Sequence, residues 1–436
     1  MILLSVLIFF SLLVGYKVSG VSYFTPSKFS GLGYTIAINI FMLSLPGVLY
    51  ISLIGGDNWR YESISIETKD IVFFSYLYSV FISIFILWIY NAAFKQNTIK
   101  ISFTPCNYNN YNEKKLFELC FVFVVFYTLL RLLYLHPNPP LKVLIFEGVI
   151  PASIRRFEYQ VGDVINKVPY ISNILDSLSN ASIYYISLFC LCKFKASYIK
   201  KTIILLSILG LSFYNLAYDI QKSPFVLYVV SLVYFCYLFY GFSRLYLYAF
   251  SLFLTLTLIF VSYQIDGNLK FEGSLIERLF TGQNQGLYLI VEHIVPNVKY
   301  AFSGMPFSGL FDLPQVTADV EVASYIYGAQ AEHIVNVNSY YLAEAWSSLG
   351  WLGLVISPFI VWFIICIYYH LILYFFRRNI LMVAALCFSY LSMIPINMRF
   401  NFFLYPKFMF INFLPVIFIL YFFSKLKIYN SKAHTC

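Results

Sequence analysis

Charge is what this chain has least of. Only 11% of its 436 residues are Asp, Glu, Lys or Arg, less than half of the roughly 25% usual in a soluble protein. With 60% hydrophobic residues and a mean hydropathy of +0.76, that shortage excludes a soluble globular enzyme and a disordered chain. A nucleic-acid binder is excluded too. The net charge is +9, but the cations are scattered between apolar stretches and form no basic face on a polar background. Cysteine chemistry is also missing. The eight cysteines show no metal-ligand spacing, and most lie inside apolar runs, so neither a zinc site nor a disulfide framework is expected. No solenoid repeat is present, and the two halves lack the broken helices and inverted symmetry of many transporters.

Long uninterrupted apolar runs are abundant instead. A spanning helix needs about 20 apolar residues, whereas a membrane β-barrel shows alternating segments of roughly ten. The runs predict an all-α polytopic membrane protein, residues 1–436 forming a single integral membrane domain. Eleven spans are expected: Ile2–Tyr16, Tyr34–Ile54, Ile71–Phe94, Leu116–Leu135, Ile171–Leu191, Thr202–Tyr218, Pro224–Phe242, Leu245–Ile265, Gly350–Phe375, Ile380–Asn397 and Phe408–Phe423. The first lacks a basic leader and a small-residue cleavage site, so it reads as a retained span.

Lysine and arginine set the orientation, because cytoplasmic loops hold their excess. Loops on one side carry 16 basic residues opposed by Glu113 and Glu118, a net of +14; the other side nets −5. The first side is therefore expected to be cytoplasmic, with the N-terminus outside and the C-terminus inside. Both long loops, 136–170 and 266–349, then face outward. The second is too long for a connector, and such loops tend to carry function. Within it, Leu287, Ile290, Val291, Ile294 and Val295 recur at helical spacing, which predicts an amphipathic helix near the membrane surface. Asn336–Trp346 is expected to be a helix leading into the next span.

Isolated cations recur on the outer face among acids and amides. The large loop offers Glu277 and Arg278 ahead of the polar run Thr281–Gly286, then Glu332, His333 and Glu344. The shorter loop offers Arg155 and Arg156; Lys222 sits in a short outer turn, and Arg399 at the outer end of a span. This mixture suits a sugar joined to a lipid diphosphate. Arginine's planar fork clamps diphosphate oxygens, and Glu or His can take a proton from an acceptor hydroxyl. With no Asp-x-Asp motif in an outer loop, a metal-free mechanism without cofactor is expected.

In this layout the chain resembles the Wzy-type polymerases of O-antigen and other oligosaccharide repeat units. The resemblance covers nearly the whole chain as topology. Locally it rests on Ser153-Ile-Arg-Arg-Phe-Glu158, Glu277-Arg-Leu-Phe-Thr-Gly-Gln-Asn-Gln-Gly286, Asp219-Ile-Gln-Lys-Ser-Pro224 and the loop exit from Asn338 to Gly353. It implies a GT-C-like helical fold in the bacterial inner membrane, working at the periplasmic face. It implies a glycosyltransferase that moves a growing glycan from undecaprenyl diphosphate onto a new lipid-linked repeat unit, so that donor, acceptor and surrounding lipid are its partners, with a chain-length regulator protein as a further one. Loop arginines are its expected essential residues: Arg278, and Arg155 or Arg156, with Arg399 and Lys222 as further substrate contacts. His333, Glu332 and Glu344 are the candidates for activating the acceptor hydroxyl. The acidity of the large loop departs from the family and disfavours a strongly anionic repeat unit. An O-antigen ligase, which would join finished glycan to lipid A-core, shares this layout; a lipid-linked sugar flippase is the alternative of a different class.

Overall fold

In a bilayer core the backbone finds no water, so each apolar run must satisfy its own N–H and C=O groups and closes into a helix. The computed structural model describes residues 2–23, 25, 28–54, 61–94, 99–100, 111–136, 138–161, 170–194, 197–220, 222–241, 282–303, 305, 311–313, 316–323, 325, 337, 339–391, 399–405 and 409–425. Six helices are long and apolar enough to cross a membrane. In chain order they are α1 (Gly31–Leu53), α2 (Ile66–Phe94), α3 (Glu113–Leu135), α4 (Ile171–Cys192), α5 (Ile199–Ala217) and α6 (Trp351–Phe376). Four shorter apolar helices, Ile2–Val18, Pro224–Tyr240, Ile380–Tyr390 and Met409–Lys425, stand where four further spans are expected. The expected span Leu245–Ile265 lies outside the described residues. The protein is an all-α membrane protein; the strands among the described residues are two two-residue pieces, Lys28–Phe29 paired antiparallel with Ile99–Lys100.

Helix α4 is central. Within its apolar window 67% of the residues are buried, against 22% for α5, and it packs on α3, α5, Pro224–Tyr240 and Ile380–Tyr390. Small hydroxyls run along it, and tyrosines and serines interlock between helices. Tyr228 meets Ser187 at 2.6 Å, Tyr76 meets Ser44 at 2.7 Å, and Tyr341 donates to Ser79 at 2.9 Å. Small and polar side chains pair this way because lipid-embedded helices associate through close packing and interhelical hydrogen bonds.

The bundle has two distinct ends. At one, the Lys28–Phe29 strand meets Ile99–Lys100, Lys193 pairs with Glu113 at 2.6 Å, and Tyr240 donates to the Leu191 carbonyl at 2.9 Å. At the other, Ser65 donates to Glu292, and the Asn297 N–H donates to the Ser347 carbonyl. Each of these contacts joins two segments that share an end of the bundle.

The described part of the large loop enters the bundle. Its predicted amphipathic helix exists as α7 (Gln285–His293), but residues Gln285 to Val291 are all buried, and it packs against α2 and the helix Tyr341–Leu349. Asn284 Nδ2 donates to the Ser44 carbonyl of α1 at 3.0 Å, and the Tyr288 hydroxyl meets Ser52 Oγ at 2.9 Å. Ser44 lies nine residues inside the Leu53 end of α1, a depth of roughly 13 Å at about 1.5 Å per residue. The expectation of a surface helix is corrected for a physical reason. Leu287-Tyr-Leu-Ile-Val291 is apolar on every side, and a helix apolar all round is a buried one. The loop-exit helix also begins later than expected, as α8 (Tyr341–Leu349), and is separated from α6 by Gly350 at φ +59°. There α8 folds back onto α6 so closely that a Cβ on Gly353 would come within 1.9 Å of the Ala345 carbonyl oxygen.

Candidate active site at the loop end of the bundle

Glu344 is the focus of the described loop residues. It sits one turn into α8, whose start is set by Tyr340 in extended conformation, and its side chain is buried. Its Oε2 accepts the backbone N–H of Asn401 at 2.9 Å. Burial pushes its pKa up to about 8; the Asn401 N–H and the charge of Arg399 work against that rise, and the charge of Asp319 adds to it. A carboxyl group so poised holds a proton at neutral pH and can also release it, the property of an acid–base residue.

Arg399 and Asn401 come from the segment that precedes the last apolar helix, and they knit three pieces of chain together. The Nε and Nη2 of Arg399 both donate to Asp319 Oδ2, at 3.2 and 2.9 Å. Asp319 is buried, on the one-turn helix Ala318–Glu321. This engages two of the five guanidinium donors. Asn401 Nδ2 donates to the carbonyls of Tyr300 and Ser303, at 2.8 Å each. The Tyr300 hydroxyl donates to Glu321 at 2.9 Å, and Lys299 approaches the same carboxylate oxygen at 3.7 Å. Two of the residues singled out in the sequence, Glu344 and Arg399, are thereby brought to one centre. Asp319 and Asn401 are not singled out there. Asp319 is one of nine loop acids, and nothing in its neighbours' periodicity distinguishes it.

The other candidates stand apart or lie outside the described residues. Arg155, on the helix Val149–Val161, pairs with Glu158 at 2.8 Å and donates from Nε to the Asn138 carbonyl at 3.1 Å, while Arg156 is exposed. Lys222 opens the helix Lys222–Tyr240, and its side chain is outside the described set. Arg278, Glu332 and His333 are outside it entirely. Among the described residues no three His, Cys, Asp or Glu side chains gather where they could hold a metal ion.

A second polar centre is one that the sequence reading does not pick out. Arg131 near the end of α3 pairs with Asp176 of α4, and its Nη1 donates to the Asn215 carbonyl and Oδ1 of α5 at 2.9 and 3.2 Å. Its guanidinium lies 4.1 Å over the Tyr218 ring, and Tyr127 donates to the same Asp176 oxygen. A signal for it exists: an ionisable residue inside a span is costly and needs a partner, and Arg131 and Asp176 fall within adjacent predicted spans.

Fold and site define a class, an all-α membrane protein with a buried ionisable centre at its loop-bearing end. No family model matches the chain, and no curated protein or solved structure matches it.

Proposed function

We propose that this protein is a glycosyltransferase of the bacterial inner membrane that polymerises O-antigen or a related surface glycan, with eleven spans in a GT-C-like arrangement and its large loop in the periplasm. The observation that carries the reading is a buried carboxyl, Glu344, that accepts the Asn401 N–H two residues from Arg399 and feels the charge of Arg399, itself paired with Asp319, at the loop end of the bundle. The excess of Lys and Arg on the opposite loops supports an outward orientation of that end. In the reaction the acceptor sugar hydroxyl attacks the anomeric carbon of the donor glycan. The bond from that carbon to the lipid diphosphate breaks, and the diphosphate leaves with the electron pair. The hydroxyl proton passes to the ionised form of Glu344, the minority form at neutral pH given a pKa of about 8, with Glu332 and His333 as the other candidates for that role. Positive charge at the leaving diphosphate lowers the barrier, and Arg278, Arg155 or Arg156, Lys222 and Arg399 are the cations proposed to supply it. Undecaprenyl-diphosphate-linked repeat units would be both donor and acceptor.

The test is genetic. Cells deleted for this chain are complemented with the wild type, Glu344→Gln or Arg278→Ala, and their lipopolysaccharide is run on a gel. The reading expects core bearing a single repeat in the deletion strain, long ladders with the wild type, and none with either variant at normal protein level. Bare core in the deletion strain would make the protein a ligase instead, and full ladders with both variants would remove the assigned roles.

A further inference from the structure

Away from the Glu344 centre, a groove of about 690 Å³ runs between α2 and α6, within the roughly 300–1,000 Å³ of pockets that hold small molecules. Phe74 and Tyr78 form one wall, and Trp351 and Val355 the other. Tyr78 ties the walls together by donating to the Val355 carbonyl at 3.2 Å. Phe74, Trp351 and Val355 are exposed, so the groove opens sideways, toward lipid. It extends from Ile66 at the start of α2 to Tyr78, and those twelve residues cover about 18 Å of helix. One leaflet's share of a hydrocarbon core about 30 Å thick is about 15 Å. Its apolar part, below Asp70, runs from Ile71 to Tyr78, about 10 Å of helix, and so fits within one leaflet's hydrocarbon, on the loop side.

Its rim is charged, and the sign selects the occupant. Glu67 and Asp70 both line the groove, three residues apart on one face of α2. Both are exposed, and they precede the apolar run of α2 that begins at Ile71, which sets them at the polar boundary of that span. Two carboxylates repel a phosphate or diphosphate headgroup that carries no cation, a prenyl diphosphate included. They attract a headgroup that ends in an amine.

We propose that this groove binds one acyl chain of an aminophospholipid in the loop-side leaflet, with the primary ammonium of its headgroup received by Glu67 and Asp70. The site stands apart from the proposed glycosyl transfer and does not depend on it. A chain seated there fills the space between two spans, and the ammonium cancels a pair of like charges at the rim.

The test uses the full chain, purified and reconstituted into nanodiscs of equal phosphatidylethanolamine and phosphatidylglycerol, then released for native mass spectrometry. The wild type is expected to retain phosphatidylethanolamine over phosphatidylglycerol by about fivefold or more, the size of one charge near a membrane surface. In the double variant Glu67→Gln, Asp70→Asn the preference disappears while one lipid stays bound. In Val355→Trp, which fills the groove, the retained lipid itself is lost. Equal retention of the two phospholipids by the wild type, or a preference that survives the double substitution, would overturn the proposal. So would displacement of the aminophospholipid by equimolar prenyl diphosphate, which would make the groove a carrier-lipid site.

Discussion

Two centres at the same end of this bundle are built from the same parts and used differently. Each joins an arginine to an aspartate with an asparagine beside them. In the first, the Arg131 side chain is 5% exposed and its partner Asp176 33%; in the second the figures are reversed, 29% for Arg399 and 5% for Asp319. Arg131 is held by spans on three sides: a carboxylate, an amide, a carbonyl and the face of an aromatic ring. That arrangement balances its charge and welds α3, α4 and α5 together. The Arg399 centre adds a second buried carboxyl, Glu344, which the arginine does not neutralise. Its pieces are short helices and turns rather than spans. The contrast teaches that a compensated buried ion pair holds a fold, whereas a surplus ionisable group beside one is available for chemistry.

The sharpest way to break this contrast is to delete one member of each centre. Arg131→Ala leaves Asp176 without its cation and Asn215 without its donor. Breaking a buried pair costs about 3–5 kcal/mol, so the variant is expected to lose most of its folded protein, read by fluorescence-detected size exclusion after heating. Glu344→Gln keeps an oxygen for the Asn401 N–H and removes only the titrating proton. It is expected to keep a normal elution profile and to lose elongation of lipid-linked repeat units about 100-fold or more, the usual contribution of a general acid–base residue. Equal damage to folding in both variants would erase the distinction between the centres.

The pH dependence sharpens the same point. Folding raises the Glu344 pKa from 4.5 to about 8, so between those values the unfolded chain has released a proton that the folded chain still holds. The stability contributed by this group is therefore complete below about pH 4.5 and lost as pH rises toward 8, an effect of a few kcal/mol. Thermal midpoints of the wild type are expected to fall from pH 5 to pH 8, and those of Glu344→Gln to change less across that window. Activity should move the other way, rising toward a plateau above about pH 8 as Glu344 becomes able to accept the hydroxyl proton. Parallel profiles in wild type and variant would show that Glu344 does not titrate in this range.

A smaller effect is expected at Asp319. Asp319→Asn keeps the shape of the contact to Arg399 but removes its charge. Arg399 is then held less firmly, and Glu344 loses the neighbour whose negative charge opposes its ionisation. The elongation rate is expected to fall about tenfold, with the activity profile shifted to lower pH. An unchanged profile would mean that Asp319 and Glu344 are not electrostatically linked.

The sequence is informative where physics is local and silent where it is not. Apolar runs locate the spans because a membrane leaves the backbone no other choice. Glu344 and Arg399 can each be picked out, one at the foot of a span and one at the edge of another. Their meeting cannot be, because it depends on Asp319 and Asn401, on helices of four residues each with no readable period. The α7 helix is visible as a stripe but misplaced, because Tyr288 and Leu289 fill the sides that a surface helix would leave polar. Arg131 and Asp176 are legible as charges within spans, although which partner each takes depends on how α3, α4 and α5 pack.

The mildest expected effect concerns the contact that anchors α7. Glu292 accepts from both the backbone N–H and the hydroxyl of Ser65, at 3.1 and 2.7 Å. Its partial burial would raise the pKa, but hydrogen bonds from Thr68 and Ser65 and the nearby His293 outweigh it and hold the carboxyl below its usual value. A lowered folded pKa stabilises above the unfolded pKa and is lost as pH falls through the folded one, the reverse of Glu344. Glu292→Gln keeps one acceptor and gives up the charge-assisted bonds at a solvent-facing site, where such contacts contribute below about 1 kcal/mol. The thermal midpoint is therefore expected to drop slightly at pH 7, by an amount that shrinks as pH falls through the acidic range, while elongation is unaffected. A large loss of elongation instead would mean that the seating of α7 between α1 and α2 governs the Glu344 centre, and that the loop end works as one unit.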